Sequence, residues 1–368
     1  MISFLKKRAV FCAAMLCAVV SCLFVPPSRE YLSYIDWNTL SLLFALMTAV
    51  AGLERCDVFR FLAVRLCAVV HTARSLSFVL VFLCFFTSML ITNDVALLAF
   101  VPFALMLLGT QEKLPRKFIG YVVALQTVAA NTGSMLTPMG NPQNLFLFNK
   151  MGISLGSFVA VLFPYTLMCG IMLALGLFFV PNMRLSALGS PNAKTHPSSW
   201  RKILYALLFV FCLLSVLKLI PKPLLALIVF VAVLAFDRRT LLHTDYFLIA
   251  TFVAFFVFSG NIAAIPAVRS FLERSVQGHE LFSGLLASQV ISNVPATLLL
   301  YPFVESAKNL LLGVNIGGLG TLVASLASLI SFTIYTKTEK RGGSYLALFT
   351  VVNILFMAVL LGAYLILR

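Results

Sequence analysis

A run of amides and hydroxyls interrupts an apolar stretch of the sequence where residues 137–148 read TPMGNPQNLFLF. A proline at position 138 removes a backbone donor and clashes with the preceding turn, so a helix does not continue through it. A glycine at position 140 allows backbone conformations and close approaches that other residues resist. The run predicts a broken helix whose freed carbonyls, with side-chain oxygens, form hard ligands suited to Na⁺. The residues assigned to this cation are Asn131, Pro138, Gly140, Asn141 and Asn144.

Two short motifs, ITND and ISNV, place polar residues within other apolar segments. Asn93 and Asn293 occupy equivalent positions in them, and we expect both to face one shared site. Asp94 is the only acid far from a charged loop, and an acid inside a membrane is by default a functional candidate. Its alternative role is to cap a helix start after Asn93. Helix N-termini at the same breaks offer N–H groups and positive dipole ends to an anion.

The composition explains where these residues must lie. The chain has 368 residues, of which 61% are hydrophobic and only 11% are charged. Such a chain dissolves in lipid, and several of its apolar segments reach the roughly 20 residues that cross a bilayer. We therefore predict an all-α polytopic membrane protein. The net charge of +15 fits lysines and arginines collected in cytoplasmic loops, so no nucleic-acid partner is expected.

The basic residues also predict an orientation in the cytoplasmic membrane. Lys6, Lys7 and Arg8 place the N-terminus in the cytoplasm, ahead of a retained first helix over 9–25. The later helices then alternate so that most lysines and arginines stay inside. We therefore predict a multi-pass protein of the cytoplasmic membrane with its N-terminus in the cytoplasm.

The order of segments repeats, with the second copy upside down. Each copy has a helix, an amphipathic stretch, a polar-tipped re-entrant hairpin, an interrupted transmembrane helix and a final helix. The alignment pairs ANTGSMLTPMGN with VNIGGLGTLVAS and so places Asn131 with Asn315, Gly133 with Gly317 and Thr137 with Thr321. This inverted-topology repeat is typical of secondary transporters, whose sites form at paired helix breaks. The predicted units are a first repeat over 1–180 (hairpin 75–109, broken helix 118–148), a cytoplasmic linker and connecting helix over 181–223, and a second repeat over 224–368 (hairpin 281–304, broken helix 310–335).

With ITND, GSMLTPMGNPQN, ISN and NIGGLGTL, the chain resembles the ion transporter superfamily over nearly its whole length. That group includes arsenite permeases, citrate transporters, divalent anion–sodium symporters and sodium–proton antiporters. The resemblance implies a homodimer in which a transport domain carrying both hairpins moves against a scaffold. It also implies that the hairpin tips and the glycine-rich breaks bind carboxylate and Na⁺. The residues that match these elements are Thr92, Asn93, Gly133, Thr137, Ser292, Asn293, Gly317, Gly318 and Thr321.

The chain departs from the family at both tips, where Asp94 and Val294 replace threonines. We expect a cation-coupled transporter of a small anion, a carboxylate or an inorganic oxyanion, with Asp94 carrying H⁺ or helping to bind Na⁺. The alternative is an arsenite efflux permease or a Na⁺/H⁺ antiporter. The sequence has no HExxH or GxxxxGK[ST] motif, so we do not expect an enzyme, and no cofactor or metal beyond Na⁺.

Overall fold

A computed structural model describes residues 9–67, 70–111, 113–185, 199–339 and 342–367. Over these ranges the chain is built from α-helices, which confirms the all-α prediction. The helices are α1 (Ala9–Ser21), α2 (Tyr31–Tyr34), α3 (Trp37–Arg55), α4 (Val58–Cys67), α5 (Ala73–Thr87), α6 (Asn93–Gly109), α7 (Arg116–Ser134), α8 (Pro142–Met151), α9 (Leu155–Leu177), α10 (Ser199–Val216), α11 (Lys222–Leu241), α12 (Tyr246–Ala264), α13 (Pro266–Val276), α14 (Glu280–Ile291), α15 (Asn293–Leu300), α16 (Ala307–Ile316), α17 (Leu326–Glu339) and α18 (Gly342–Leu367).

Four of these helices are long and apolar enough to cross a bilayer by themselves, namely α3, α9, α12 and α18. They differ in how much of their surface the protein covers. In α3, 61% of the most apolar window is buried, whereas in α18 the value is 28%. The exposed face of α18 is therefore free to contact lipid, and α3 lies among its neighbours.

Two helix pairs and two helix interruptions lie where the sequence analysis expects hairpins and breaks, while their re-entrant arrangement in the membrane stays a prediction. The first hairpin consists of α5 and α6, joined by residues 88–92, and the second consists of α14 and α15, which meet at Ser292. Ser292 has a φ of +73°, a left-handed conformation that is uncommon for a serine and lets two helices join through one residue. The first break separates α7 from α8, and the second separates α16 from α17.

Some predicted helix ends are corrected by the structure. The first helix stops at Ser21 instead of residue 25, and α11 begins at Lys222, two residues before the predicted start of the second repeat, and continues to Leu241. The continuation passes through a kink at Asp237, whose φ and ψ are −153° and 61°. Its carboxylate accepts a hydrogen bond from Tyr205 at 3.0 Å and pairs with Arg55 at 3.4 Å, so a buried charge cluster holds this end of the helix together.

The two breaks pack on the two hairpins through the same pair of contacts. The Thr137 hydroxyl donates to the carbonyl of Met89, and the Thr321 hydroxyl donates to the carbonyl of Gln289 at 3.0 Å. In each break, the glycine four residues before the threonine lies directly against the hairpin backbone. These contacts agree with the alignment of the two repeats, while the opposite orientation of the repeats in the membrane and their domain boundaries stay predictions.

Those two glycines are required by the close approach of the hairpins. A Cβ atom on Gly133 would lie 2.1 Å from the carbonyl oxygen of Phe85, and one on Gly317 would lie 2.8 Å from the Cα of Leu285. Both distances are too short for any side chain. The hairpins can therefore sit on the breaks only because these positions carry hydrogen alone.

The backbone freed at the first break is satisfied by Asn144. Its amide nitrogen donates to the carbonyls of Ser134 at 3.4 Å, Met135 at 2.9 Å and Thr137 at 3.3 Å. Backbone groups that leave a helix in lipid must find partners in protein or in a water-filled cavity. One side chain supplies that partner for three carbonyls.

At the second break the same task falls to Gln289, which comes from the hairpin instead of the broken helix. Its amide nitrogen donates to the carbonyls of Gly317 at 2.7 Å and Leu319 at 2.9 Å. Its amide oxygen accepts from the N–H of Thr321 at 2.9 Å. The second break thus lacks the prolines and asparagines of the first, but Gln289 satisfies its freed backbone groups.

The change Gly133→Ala is expected to destabilise the protein by about 1–3 kcal/mol, the usual cost of overpacking a close-packed site. The physical reason is the 2.1 Å approach to the Phe85 carbonyl. Thermal unfolding in detergent measures the effect. Gly362→Ala is the control, since it lies in α18 with nothing within 4 Å of its added Cβ. Equal melting temperatures for the two variants would contradict the packing argument.

The change Gln289→Met keeps the length of the side chain and removes its hydrogen bonds to the second break. We expect the free energy of unfolding to fall by about 2 kcal/mol, because each of the three hydrogen bonds contributes about 0.5–1.5 kcal/mol and the carbonyls are left without partners. Hydrogen exchange over residues 317–325 should accelerate, while exchange over the first break at 135–141 should not. Acceleration at both breaks, or at neither, would show that Gln289 is not the local cap.

Candidate functional site

First-turn residues of four helices at the hairpin tips and breaks, together with Leu248 of α12, meet around one small pocket, here called the central pocket. The four helices are α6 and α15 from the hairpin tips, and α8 and α17 from the two breaks. The first N–H groups of a helix have no partner inside it and carry the positive end of the helix dipole. The pocket measures about 10 Å³, the size that holds roughly one water molecule. Its lining residues are Asn93, Asp94, Pro142, Gln143, Leu248, Asn293, Val294, Ser325 and Leu326.

The first hairpin tip is fixed against the first break by Asn93. Its backbone N–H donates to the carbonyl of Gly140 at 3.1 Å, and its side-chain amide donates to Asn131 Oδ1 at 2.9 Å. Asn93 Oδ1 in turn accepts from the N–H of Asp94 at 3.0 Å. Thr92 precedes the helix as its N-cap residue, so Asp94 lies in the first turn and does not cap it.

Asn131 connects this tip to the opposite half of the molecule. Its amide oxygen also accepts from the hydroxyl of Ser325 at 3.0 Å, and its amide nitrogen donates to the hydroxyl of Ser328 at 3.3 Å. Both serines belong to the second break and the helix that follows it. Asn131 is thereby occupied by three protein groups, two of which come from the other repeat.

A second amide cluster joins the two breaks directly. Asn141 caps α8 by accepting from the N–H of Asn144 at 3.0 Å, and its nitrogen lies 3.4 Å from Asn315 Oδ1. Asn315 donates to Asn144 Oδ1 at 2.7 Å. Each amide oxygen in this triad accepts a hydrogen bond from the protein itself. Its main visible effect is to fix the start of α8 relative to α16.

The far end of α8 is held by lysines. Lys150 pairs with Asp36 at 3.3 Å, Lys222 donates to Asn149 Oδ1 at 2.6 Å, and Lys218 donates to the carbonyl of Gly152 at 2.9 Å. Cations near a helix C-terminus complement its negative dipole end. Contacts at both ends of α8 therefore keep its N-terminus directed at the central pocket.

A larger cavity of about 450 Å³, here called the acidic cavity, lies beside the central pocket. Asp94 and Pro142 line both spaces, so the two are neighbours. The acidic cavity also exposes Glu54, His243 and Asp245, and within the described residues its lining contains no lysine or arginine. A field of this sign attracts cations and raises the energy of a free anion unless a cation accompanies it.

The predicted site residues fall into three groups in the structure. Asn93, Asp94 and Asn293 line the central pocket, while Thr92 and Asn141 line the acidic cavity. Gly318 lies against Asn293, since an added Cβ would be 2.9 Å from the Asn293 amide nitrogen. The remaining predicted residues pack or hydrogen-bond within the breaks and at the tips, and these are Asn131, Gly133, Thr137, Pro138, Gly140, Asn144, Ser292, Gly317 and Thr321.

Several residues that the structure brings to the site are not among those predicted from the sequence. Gln143 and Ser325 line the central pocket, and Gln289 caps the second break. Gln143 lies inside the GNPQN motif, so its position was a usable signal. A single glutamine or serine in an apolar helix gives no comparable pattern, because its direction depends on how the helices pack.

Comparison with known proteins places this architecture in a family. A family model described as citrate transporter matches residues 1–311. An uncharacterised transporter of Methanocaldococcus jannaschii is 30% identical over 331 residues, covering 90% of each chain. Inner membrane protein YbiR of Escherichia coli is 31% identical over 313 residues, covering 84% of this chain and 82% of its own. A silicon efflux transporter of Oryza sativa is 34% identical over 152 residues, covering 41% of this chain and 30% of its own.

The family match covers most of the chain, and two relatives share nearly its full length at 30% identity or more. It also agrees with the helical architecture and the apolar spans described above. The chain therefore belongs to the citrate transporter family of the ion transporter superfamily, and is a multi-pass membrane transporter of the citrate and arsenite permease type.

Proposed function

We propose that the protein moves a small anion, a carboxylate or an inorganic oxyanion, across the cytoplasmic membrane. The observation that carries this proposal is the convergence of four helix N-termini on the central pocket. Dipole ends of one sign, together with first-turn N–H groups other than those of Asn93 and Asp94, which donate within the protein, provide a binding surface for negative charge without any basic side chain. Asp94 is the one acid in that lining.

Coupling to Na⁺ or H⁺ follows from the position of Asp94 between the two spaces. A dianion next to an ionised carboxylate is repelled, whereas a carboxylate that holds H⁺ or Na⁺ is not. Binding of the cation at Asp94 would thus precede or accompany binding of the anion. The hydroxyl of Thr92, which lines the acidic cavity beside Asp94, would contribute to a Na⁺ site there.

We propose that the acidic cavity opens to the cytoplasm and that the N-terminus lies on the same side. Among the residues that line the cavity, Glu54 adjoins Arg55 in the sequence and His243 follows Arg239 by four positions, and cytoplasmic ends of helices collect basic residues. The structure would then represent the inward-facing state. Movement of the hairpins and breaks against the other helices, as a homodimer with elevator-like alternating access, would expose the pocket to the opposite side.

Efflux is the second candidate, either of arsenite or of Na⁺ in exchange for H⁺. The acidic lining of the cavity favours a cationic or uncharged cargo over a free anion. One partial relative is named a silicon efflux transporter, which also favours efflux. Growth of sensitive cells on arsenite and on high salt separates these two cargoes, and an unchanged growth limit in both media would remove this candidate.

The variants Asn93→Ala and Asn293→Ala are each expected to lower the transport rate by at least about tenfold, since each removes a polar group from the central pocket. Uptake into proteoliposomes measures the rate, and thermal unfolding checks the fold. Asn309→Ala, outside the pocket on α16, is the control and should transport like the wild type. Full activity of both pocket variants would refute the shared site.

The variant Asp94→Asn is expected to abolish accumulation driven by a Na⁺ or pH gradient while exchange of bound substrate persists. An amide of the same size retains the shape of the site. Because the amide carries no charge, it no longer binds the coupling cation. Asp57→Asn is the control, because Asp57 has a φ of +53° that asparagine adopts equally well. Wild-type accumulation that is independent of both gradients would refute the coupling.

A further inference from the structure

The end of α8 farthest from the central pocket borders another cavity of about 400 Å³, here called the lysine cavity. Within the described residues its lining holds one charged side chain, Lys150 of α8, and no acid. Most of the remaining lining is aromatic, small or aliphatic. The lysine cavity shares no lining residue with the central pocket or the acidic cavity, so it is a separate space.

The acidic cavity and the lysine cavity lie at opposite ends of two helices that are each long and apolar enough to cross a bilayer. Tyr246, the first residue of α12, lines the acidic cavity, and Ala264, its last residue, lines the lysine cavity. In α3, Glu54 near the C-terminus lines the acidic cavity, whereas Asp36, which caps the N-terminus, pairs with Lys150. Each helix has 19 residues and is therefore roughly 28 Å long.

One face of α8 and one face of α12 lead from the central pocket to the lysine cavity. On α8, Pro142 lines the central pocket, while Phe146 and Lys150, four and eight positions later, line the lysine cavity. On α12, Leu248 lines the central pocket, and Phe256, eight positions later, lines the lysine cavity. Positions at these spacings form one stripe along a helix. The same stripe of each helix therefore serves both spaces.

Packed aromatic rings lie between the two spaces in this conformation. Phe146 is 3% exposed, and its ring centroid lies 5.3 Å from that of Tyr301 and 5.7 Å from that of Phe256. The ammonium of Lys150 sits over the Phe146 ring, 5.8 Å from its centroid, a position that the negative face of an aromatic ring favours. The lysine thus lies beyond the ring that separates it from the pocket residues of α8.

Positive charge predominates at this end of α8. Lys218 and Lys222 contact it as well as Lys150, and Asp36 is the acid that pairs with Lys150. One oxygen of Asp36 already accepts from the N–H of Thr39 at 3.0 Å. The Lys150 side chain is 38% exposed, and an ammonium has three donors, so it has capacity for a second anionic oxygen. A field of this sign attracts anions, the reverse of the acidic cavity.

We propose that the lysine cavity is a second binding site for the transported anion, on the face of the protein opposite the acidic cavity, and that Lys150 binds the anion there. The inference rests on the proposed function and adds the place where the anion is received before it reaches the central pocket. A bound anion competes with Asp36 for the ammonium and so weakens the pair that ties α8 to α3.

The test measures the KM for transport of two probes, citrate and sulfate, in right-side-out and inverted membrane vesicles that contain the full-length protein. Lys150→Met removes the charge, and Lys150→Arg keeps it. Asp36→Asn still offers an oxygen to cap α3 but no longer competes for the ammonium. Lys308→Met, at an exposed lysine of α16 outside the cavity, is the control. Thermal unfolding of each purified variant is measured in parallel.

We expect Lys150→Met to raise the KM by about fivefold in right-side-out vesicles, where the proposed orientation exposes the lysine cavity to the medium. That factor is the loss of one ion pair at a partly exposed site. The KM in inverted vesicles and the melting temperature should not change. Asp36→Asn should lower the KM in right-side-out vesicles by about twofold, because Lys150 is released for the anion. Lys150→Arg and Lys308→Met should stay within about twofold of the wild type.

The opposite signs for Lys150→Met and Asp36→Asn distinguish a binding site from a structural ion pair, whose loss acts in the same direction from either partner. The same change in both variants, an unchanged KM in Lys150→Met, or loss of its folded state overturns the inference. So does an equal rise in both vesicle orientations, since Lys150 would then act through the fold or the central pocket. A rise confined to inverted vesicles supports the site and reverses the proposed orientation.

Failure of this inference is distinguishable from failure of the proposed function. Transport of a probe that depends on Asn93 and Asn293 but not on Lys150 leaves the proposed function standing and removes the inference alone. A wild type that moves neither probe removes both.

Discussion

The structure depends on one constraint, that backbone groups released from a helix inside a membrane must be satisfied by protein. Both broken helices meet it with a single carboxamide. Asn144 serves the first break from within the broken helix, and Gln289 serves the second from the neighbouring hairpin. Once the carbonyls are satisfied in this way, the helices that restart after the breaks are free to direct their N-termini at a common point.

That common point is where the sequence and the structure agree best. The clusters of proline, glycine and asparagine predicted the break at 135–141, and the motifs ITND and ISNV predicted both hairpin tips. These features are local, because proline and glycine act on their own turn. The caps are not local. Gln289 bonds to backbone groups 28 to 32 positions away. In the sequence, nothing distinguishes it from any other polar residue in an apolar helix.

The direction of a side chain is equally hidden from sequence. Asn131, Asn141 and Asn144 have the composition of a cation site, yet the structure engages the amide oxygen of each in a hydrogen bond from the protein. Gln143, one position from Asn144, lines the central pocket instead. Successive positions of a helix face directions about 100° apart, so adjacent amides in one motif serve different purposes.

The amide bonds between the two halves bear on how such a protein would move. Asn315 bonds to Asn144, and Asn131 bonds to Ser325 and Ser328, so each break is joined to the break of the opposite repeat. Each break is also joined to its own hairpin through a threonine and a close-packed glycine. Separating one break from the other would leave buried amides without partners, at a cost of about 1–3 kcal/mol for each group. Displacement of hairpins and breaks together breaks none of these bonds, which is compatible with the proposed elevator-like movement.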